Sequence, residues 1–302
     1  DLPDDRMAHG SFDGTDGTTR PPSLHYAPLH HAGLQERVAI IANWIAASRP
    51  SLMVVDVSVE VAMLARLASV PIVYVRLNGR RDDQPHRDAF ASALGLLAPF
   101  AELLEEPGTP AWVRSKTLYA PNIVCGVTSH QVDHTRVLIV VGRGGKPADG
   151  ARWAEAAAAN PDRRWRVIGP SNTPVHLPAN LEIAGWVDDA EAEIASAGVV
   201  IGAAGDGLVS AVLAHARPFI CLPEPRAFDE QVCKASRLAA VNAAIVLDRW
   251  PLADHWGTLI DAAVRQAGKR RPALRQRDGA VQAAQWLSEL VTTQRLAIEG
   301  GS

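Results

Sequence analysis

The sequence predicts an α/β fold of two domains, each built around a parallel sheet. Short, continuously apolar runs rich in β-branched residues alternate with longer runs in which apolar residues recur at helical spacing. This alternation occurs twice, and a segment with Pro, Gly and no regular pattern separates the two series at residues 99–134. The chain has 302 residues, which is enough for two ordinary domains. We therefore expect one domain over residues 1–128 and a second over 129–302.

The first series predicts an incomplete domain. Residues 1–23 are rich in Asp, Gly, Thr and Pro and have no strand pattern, so they predict a loop. The chain then enters its first helix as if in the middle of a domain, and we expect that an N-terminal segment of this domain is absent. The predicted elements that follow are a helix over 35–48, a strand over 52–57, a helix over 59–67, a strand over 70–75 and a helix over 87–97.

The second series predicts a complete α/β domain in which glycine-rich turns follow two of the strands. The predicted strands cover 136–141, 165–168, 181–184 and 244–247. Two more are predicted, one from Val199 to the turn at 202–210 and one within 217–223. Four of the predicted helices cover 150–159, 190–197, 256–266 and 278–292. A fifth follows the turn at 202–210, and a sixth begins near Glu230. Continuously apolar strands of this kind are typical of a parallel sheet that is covered on both faces.

Composition excludes several classes of protein. The net charge of −3 gives no broad basic field for nucleic acid. The three cysteines (Cys125, Cys221 and Cys233) are far apart and form no CxxC pair, which excludes a disulfide framework and a zinc ribbon. No apolar run reaches the ~18 residues that span a bilayer, so we expect no transmembrane segment and a cytoplasmic protein. The sequence does not indicate the oligomeric state.

The turn at residues 202–210 is the strongest candidate for an anion site. Backbone N–H groups of a glycine turn that opens a helix can approach a phosphate, and the helix adds partial positive charge. Asp229, Glu230 and Gln231 follow the next buried strand and return to the same sheet edge, where carboxylate and amide groups suit sugar hydroxyls. An ordinary strand-to-helix turn and a helix N-cap are the respective alternatives. A phosphate site beside groups that suit sugar hydroxyls favours a nucleotide-sugar as the ligand.

Two further turns follow strands of the second domain. The turn at 142–146 offers glycines for close backbone approach, and Arg143 and Lys146 for phosphate charge, or else it only connects two elements. It is not a Walker A loop, because neither Ser nor Thr follows its Gly-Lys pair. Trp186 and Val187 follow a short strand and could present backbone groups and an apolar wall to a nucleotide base, although the acids after them could equally cap a helix.

The first domain offers candidate catalytic groups in the loop at residues 76–86. Asp82, Asp83 and His86 follow a strand, at the sheet edge where ligand sites form in α/β proteins, although a solvated charged loop is the alternative. The histidines near residues 25–31 have no zinc-ligand spacing, and we expect no metal site. The chain has neither a Gly-x-Ser-x-Gly elbow nor a His-Glu-x-x-His motif.

These residues resemble the C-terminal donor domain of GT-B glycosyltransferases, especially the MurG-like and UDP-glycosyltransferase branches. The matching segments, in chain order, are 138–146, 185–187, 202–210, 217–223, 229–231 and 242–245. The resemblance covers about residues 135–250 well and 36–100 more loosely. It implies two Rossmann-like domains facing a cleft, with a final helix that crosses back to the first domain.

The resemblance also implies a function and a set of site residues. A metal-independent enzyme would move a sugar from a UDP- or TDP-sugar to a small-molecule acceptor, with no tightly bound cofactor. The donor-binding residues would be Gly142, Gly144, Gly145, Trp186, Val187, Ala204, Gly205, Asp206, Gly207, Leu208, Val209, Glu230 and Gln231. The predicted catalytic residues, Asp83 and His86, come from the loop at residues 76–86 and not from the resemblance.

Two departures from the family pattern leave alternatives open. The family commonly places a ribose-binding Glu where this chain has Ala211, and losing those hydrogen bonds costs about 1–3 kcal/mol of binding free energy. The segment that carries the usual catalytic histidine of the family is not in this sequence. A sugar-nucleotide epimerase or hydrolase on the same fold is one alternative. A catalytically degenerate nucleotide-sugar binding protein is the other.

Overall fold

The structure is a computed structural model that describes residues 2–4, 21–123, 130–144, 147–269, 272–275 and 278–299. The described residues divide into two compact units. Unit 1 takes them from 1–99, 107–120 and 281–302, and unit 2 takes them from 100–106 and 121–280. The division falls at Pro121, whereas the sequence analysis placed it after residue 128. No helix of these described ranges is long and apolar enough to cross a membrane.

Unit 1 contains a four-stranded parallel sheet in the order β1-β2-β3-β4. Its elements are α1 Ala32–Ser48, β1 Met53–Asp56, α2 Val59–Leu67, β2 Ile72–Val75, α3 Gln84–Ser92, β3 Gly95–Ala98, α4 Ala111–Ser115 and β4 Thr117–Tyr119. The central strand β3 is buried throughout and β2 is buried except at Val75, which explains their continuously apolar sequences. The Tyr74 hydroxyl on β2 donates a hydrogen bond to the carbonyl of Val57 at 2.7 Å, so this buried polar group is satisfied.

The end of α3 differs from the sequence prediction. The helix predicted over 87–97 ends at Ser92, and residues 95–98 form β3 instead. A side chain at Gly95 would place its Cβ 2.5 Å from the Trp286 ring, so the strand needs glycine there. A four-residue apolar run that follows a helix directly does not reveal by periodicity where the helix stops. Likewise, α4 and β4 lie within the segment that was predicted to be irregular.

Unit 2 contains a six-stranded parallel sheet in the order β10-β9-β8-β5-β6-β7. Its strands are β5 Asp133–Val140, β6 Arg164–Ile168, β7 Leu181–Gly185, β8 Ala197–Gly202, β9 Phe219–Cys221 and β10 Ile245–Val246. Its helices are α5 Gly150–Ala159, α6 Ala190–Ser196, α7 Asp206–Ala214, α8 Glu230–Ala240 and α9 Trp256–Ala267, and α10 Gly279–Glu299 begins in this unit. Both sheets are parallel and covered by helices, so the predicted α/β class is confirmed.

The strand order of unit 2 has one topological switch point. The chain runs from β5 outward through β6 and β7, then returns to the other side of β5 with β8 and continues outward through β9 and β10. In open α/β sheets, ligands bind at the carboxyl ends of the two strands that flank such a reversal. A ligand is therefore expected beside the turns that follow β5 and β8.

The core of unit 2 contains four tryptophans. Trp153, Trp165, Trp250 and Trp256 pack with ring centroids 4.5–6.4 Å apart, mostly in edge-on or tilted geometry. Trp165 and Trp256 are almost completely buried. This cluster joins α5, β6 and α9 in the core of the unit.

The last helix, α10, contributes to the core of unit 1. Ala283 is buried there, and Trp286, Leu287 and Leu290 pack against the same small cluster. That cluster includes Val73 of β2 and Leu97 of β3. The helix therefore begins in unit 2 and supplies apolar side chains to unit 1.

Candidate functional site

A cavity of about 870 Å³ lies in unit 2 at the topological switch point. It is lined by the turns that follow β5, β7 and β8, which contribute Gly142 and Gly144, Trp186 and Val187, and Gly205, Gly207 and Leu208 respectively. Its size lies in the range of small-molecule and cofactor sites. Gln231 also lines it, so eight of the thirteen predicted donor-binding residues are brought together around one cavity.

The N-terminus of α7 opens into this cavity. Gly205 is the N-cap residue and has an extended conformation, and no side chain caps the helix. A Cβ built on either Gly205 or Gly207 meets no atom within 4 Å. The first backbone N–H groups of α7 therefore have no side-chain cap, and there is open space where Cβ atoms of Gly205 and Gly207 would lie, which suits a bound anion.

Gly202 serves a different purpose from the two glycines that follow it. A Cβ at Gly202 would lie 2.5 Å from a methyl group of Leu208 and 2.9 Å from the carbonyl oxygen of Val140. The packing of β8 against β5 and α7 therefore requires glycine at this position. Packing requires no glycine at Gly205 or Gly207.

Gln231 connects two of the loops at the cavity. The side chain is 6% exposed, and its Oε1 accepts hydrogen bonds from the backbone N–H groups of Ala204 at 3.2 Å and Glu224 at 2.9 Å. Its amide nitrogen is the part left for a ligand. The neighbouring Glu230 does not line the cavity, since consecutive helix positions face different directions.

The loop before α8 is held in an unusual backbone conformation. Phe228 and Asp229 have φ values of 58° and 52°, the left-handed region that non-glycine residues seldom adopt. Gln231 follows at the start of α8. Two successive residues of this kind imply that the surrounding contacts, and not local preference, fix the loop geometry.

Lys234 is a site residue that the sequence analysis missed. Its side chain on α8 is fully buried and forms an ion pair with the carboxylate of Asp206, the first residue of α7. Gln231, Ala235 and Leu238 are buried on the same side of α8. A lysine inside an apolar helical stripe is a signal that sequence periodicity could have revealed.

Arg226 lines the cavity, and Arg143 contacts a residue that lines it. The Arg143 guanidinium lies 4.2 Å from the centroid of the Trp186 ring, and Trp186 is 58% exposed. Arg226 donates hydrogen bonds to the Gly144 carbonyl and, at 2.6 Å, to Glu224. It therefore joins the turn after β5 to the loop after β9. Gly145, a predicted donor-binding residue, lies outside the described residues, as does Lys146.

The predicted catalytic pair in unit 1 forms a hydrogen bond between the buried His86 and the partly exposed Asp83. Asp83 caps α3 and accepts hydrogen bonds from the backbone N–H of His86 at 3.2 Å and from its Nδ1–H at 2.7 Å. Arg81 lies 3.3 Å from Nε2. The imidazole is fully buried, and burial lowers the pKa of His86 to about 4. This burial does not favour contact with a substrate, so a catalytic role for the pair stays a prediction.

The other predicted histidine cluster has structural contacts. The Glu60 carboxylate accepts hydrogen bonds from the backbone N–H groups of His25 and Tyr26 at 2.6 Å. His31 caps α1 by accepting a hydrogen bond from the backbone N–H of Leu34 at 3.1 Å. Within the part of the chain that the structure describes, no three His, Cys, Asp or Glu side chains are grouped so that they could hold a metal ion.

Comparison with known sequence families finds one domain in this part of the chain. Residues 167–284 match the glycosyltransferase family 28 C-terminal domain. The match begins at the end of β6 and continues into the start of α10, so it includes α7, α8 and the loop after β9. No curated protein matches the chain.

Solved structures with the same fold include several glycosyltransferases. The glycotransferase of kitacinnamycin has a TM-score of 0.63 and 16% identity, with 85% of this chain and 81% of that chain covered. The spinosyn rhamnosyltransferase SpnG complexed with thymidine diphosphate has a TM-score of 0.54 and 20% identity, with 89% and 77% covered. The glycosyltransferase SnogD from Streptomyces nogalater has a TM-score of 0.58 and 15% identity, with 85% and 78% covered. At these identities the likeness shows the fold, which is GT-B.

Proposed function

We propose that this chain, which has the GT-B fold and a family 28 C-terminal domain over residues 167–284, is a glycosyltransferase that transfers a sugar from a UDP- or TDP-sugar to a small-molecule hydroxyl. The cavity at the switch point of unit 2 would hold the donor. The observation that carries this proposal is the N-terminus of α7, which opens into the cavity without a side-chain cap. Gly205 and Gly207 leave room there for a diphosphate, because a Cβ at either position would meet no atom within 4 Å.

Trp186, Val187 and Gln231 line the same cavity at positions that suit the base and the sugar of a donor. Trp186 and Val187 follow β7 at the cavity wall, where an exposed indole could contact a nucleotide base. The Gln231 amide nitrogen could donate to a sugar hydroxyl, because its oxygen is already bonded to two backbone groups. The neighbour SpnG was solved with thymidine diphosphate, which supports a nucleoside diphosphate as the ligand class.

We propose that charge on the leaving diphosphate is balanced by the protein without a metal ion. The helix N-terminus provides partial positive charge, Arg226 lines the same cavity, and Arg143 lies over the ring of Trp186, which also lines it. Arg226 already contacts Gly144, so the side chain is held beside the turn after β5. A guanidinium can bind a phosphate with two hydrogen bonds.

Calorimetric titration with UDP, TDP and GDP, followed by the corresponding nucleotide-sugars, tests the proposed donor site. We expect saturable binding of one nucleotide, and loss of that binding in Gly205→Trp. The variant should fold, since Gly205 has a φ of −67° and a Cβ there meets no atom within 4 Å. Gly108→Trp is the matched control, because Gly108 in unit 1 also has no such neighbour. Unchanged binding in Gly205→Trp would contradict the location of the site.

A nucleotide-sugar binding protein without transferase activity is the second candidate. Two observations favour it: His86 is fully buried, and Ala211 supplies no carboxylate to the cavity that it lines. Incubation with a radiolabelled nucleotide-sugar and a panel of small hydroxyl acceptors separates the two functions. Glycosylated product supports transfer. Donor binding with no product from any acceptor favours the binding protein, and release of free sugar favours a hydrolase.

A further inference from the structure

An ion pair lies directly behind the proposed diphosphate position. Asp206 is the first residue of α7, and its carboxylate contacts the ammonium group of Lys234. Gly205 and Gly207 on either side line the cavity, but Asp206 does not. The backbone at this turn therefore faces the cavity while the acidic side chain is turned toward α8.

The position of Asp206 creates an electrostatic conflict with the proposed ligand. A carboxylate in the first turn of a helix is attracted by the same partial positive charge that would bind a diphosphate. Asp206 thus places a negative charge within a few residues of the N–H groups available for phosphate. Unless that charge is compensated, it repels a dianionic ligand and reduces the favourable potential of the helix end.

Lys234 is placed to compensate this charge. The side chain is fully buried, and Asp206 is only partly exposed, so water screens the pair weakly. The nearby thiol of Cys221 is neutral at pH 7, because burial raises its pKa to about 12 although the positive charge of Lys234 opposes the rise. The thiol therefore adds no second negative charge beside Lys234.

We propose that Lys234 is a positioning residue for donor binding: by pairing with Asp206 it holds that carboxylate away from the cavity and cancels its charge, so that the N-terminus of α7 can accept a diphosphate. This inference rests on the proposed donor site. Lys234 contacts the side chain of Asp206 on α7 and does not contact the ligand. The pair therefore acts on nucleotide affinity through the potential at the helix end.

Four proteins test the proposal in a double-mutant cycle: wild type, Lys234→Gln, Asp206→Asn and the double variant. Affinity for the nucleoside diphosphate that wild type binds is measured by calorimetry at low ionic strength, well below each protein's melting temperature. We expect Lys234→Gln to bind about tenfold more weakly and Asp206→Asn about tenfold more tightly, as one unit charge close to a diphosphate implies. The double variant should return to within about threefold of wild type.

The opposite signs of the single variants distinguish electrostatic compensation from a purely structural pair. A pair that only stabilises the fold would give lower melting temperatures for both single variants, with no tightening in Asp206→Asn. Such a result would overturn the inference. Lys116→Gln is the matched control, since Lys116 of unit 1 is also bonded within the protein, to the carbonyls of Phe90 and Ala91, and its affinity should equal that of wild type.

Failure of the inference can be told apart from failure of the proposed function. If wild type binds no nucleoside diphosphate, the proposed donor site is wrong and the inference fails with it. If wild type binds one, loses it in Gly205→Trp, and shows the same affinity in all four proteins of the cycle, the donor site stands and the role of Lys234 is overturned.

Discussion

Ala211 is the residue at which this chain departs most clearly from the family pattern that it resembles. It lies on α7, is 6% exposed and lines the cavity. A glutamate there would extend into the same cavity and could accept hydrogen bonds from ribose hydroxyls. We expect Ala211→Glu to strengthen binding of the nucleotide by about 1–3 kcal/mol.

Ala211→Met separates hydrogen bonding from bulk in that experiment. Methionine is similar in length to glutamate but accepts hydrogen bonds only weakly. Titration calorimetry with the nucleotide should show a gain for Ala211→Glu and none for Ala211→Met. Equal affinities of the two variants would mean that position 211 does not face the ribose.

His86 predicts a pH dependence of the stability of unit 1. Burial lowers its pKa to about 4 from about 6.5 in an unfolded chain, so the unfolded state binds more protons between these pH values. The neutral His86 therefore contributes fully to the free energy of unfolding above about pH 6.5, and this contribution is lost as the pH falls toward 4. A shift of this size corresponds to roughly 3 kcal/mol of unfolding free energy.

Denaturant unfolding at a series of pH values measures this dependence. His86→Phe is the comparison variant, because it keeps an aromatic ring beside Phe90 but cannot be protonated. The difference between wild type and variant should change with pH in the range 4–6.5 and be constant above it. A difference that does not vary with pH would contradict the assignment of a buried neutral imidazole.

At the residue scale, the sequence revealed the candidates but not their contacts. Gln231 was predicted from its place after a buried strand, yet its bonds to Ala204 and Glu224 depend on how two loops meet. Lys234 is four residues after a predicted site residue, but its partner Asp206 is on another helix. Such pairings follow from tertiary packing, which a single sequence does not show.

The turn between β8 and α7 is the element on which the proposed site depends, and its glycines should respond differently to substitution. A Cβ at Gly202 would overlap Leu208 and Val140, so Gly202→Ala should lower the unfolding free energy by about 1–3 kcal/mol. Gly207 lies inside α7 with open space around it, so Gly207→Ala should raise that energy by about 0.5–1 kcal/mol.

Thermal and urea unfolding of the two variants check these opposite signs. The sequence presents both positions only as glycines in one turn, with no indication that packing requires the first and leaves the second free. Stabilisation by Gly202→Ala, or marked destabilisation by Gly207→Ala, would contradict the geometry of the turn. Nucleotide titration of Gly207→Ala then shows whether a methyl group at the second position is tolerated by the ligand.

The secondary elements were predictable where a strong pattern has clear boundaries. The helix over 150–159 and the helix over 59–67 have the predicted limits, since each is preceded by a capping residue, Asp149 and Ser58 respectively. The strand β3 was missed, because its apolar run continues from α3 with only two residues between them. Periodicity cannot place a boundary between two apolar elements.

At the scale of the whole molecule, the two α/β units follow from the repeated alternation of apolar strands and helices. The strand order does not, because a sequence does not state on which side of β5 the strand β8 will pair. That choice creates the switch point and with it the cavity. The resemblance to GT-B enzymes implied Rossmann-like domains, and a sheet of that type contains a topological switch point.

The last helix makes unit 1 dependent on residues from the opposite end of the chain. Trp286 of α10 lies against Gly95, and it packs in a cluster with Val73 and Leu97 of the unit 1 sheet. We expect Trp286→Ala to lower the unfolding free energy by about 3–5 kcal/mol, because it removes a large aromatic side chain from this cluster. Val281→Ala, at an exposed position of the same helix, should change that energy by less than about 0.5 kcal/mol.

Hydrogen exchange followed by mass spectrometry can locate the effect of Trp286→Ala. Faster exchange should appear in β2 and β3 of unit 1, whose buried residues pack with α10. Exchange in β5 and β8 should not change, because their side chains belong to the separate core of unit 2. Equal loss of protection in both sheets would mean that the two units unfold together and that α10 stabilises the whole chain. Protection lost in neither sheet would show that the helix does not contribute to the core of unit 1.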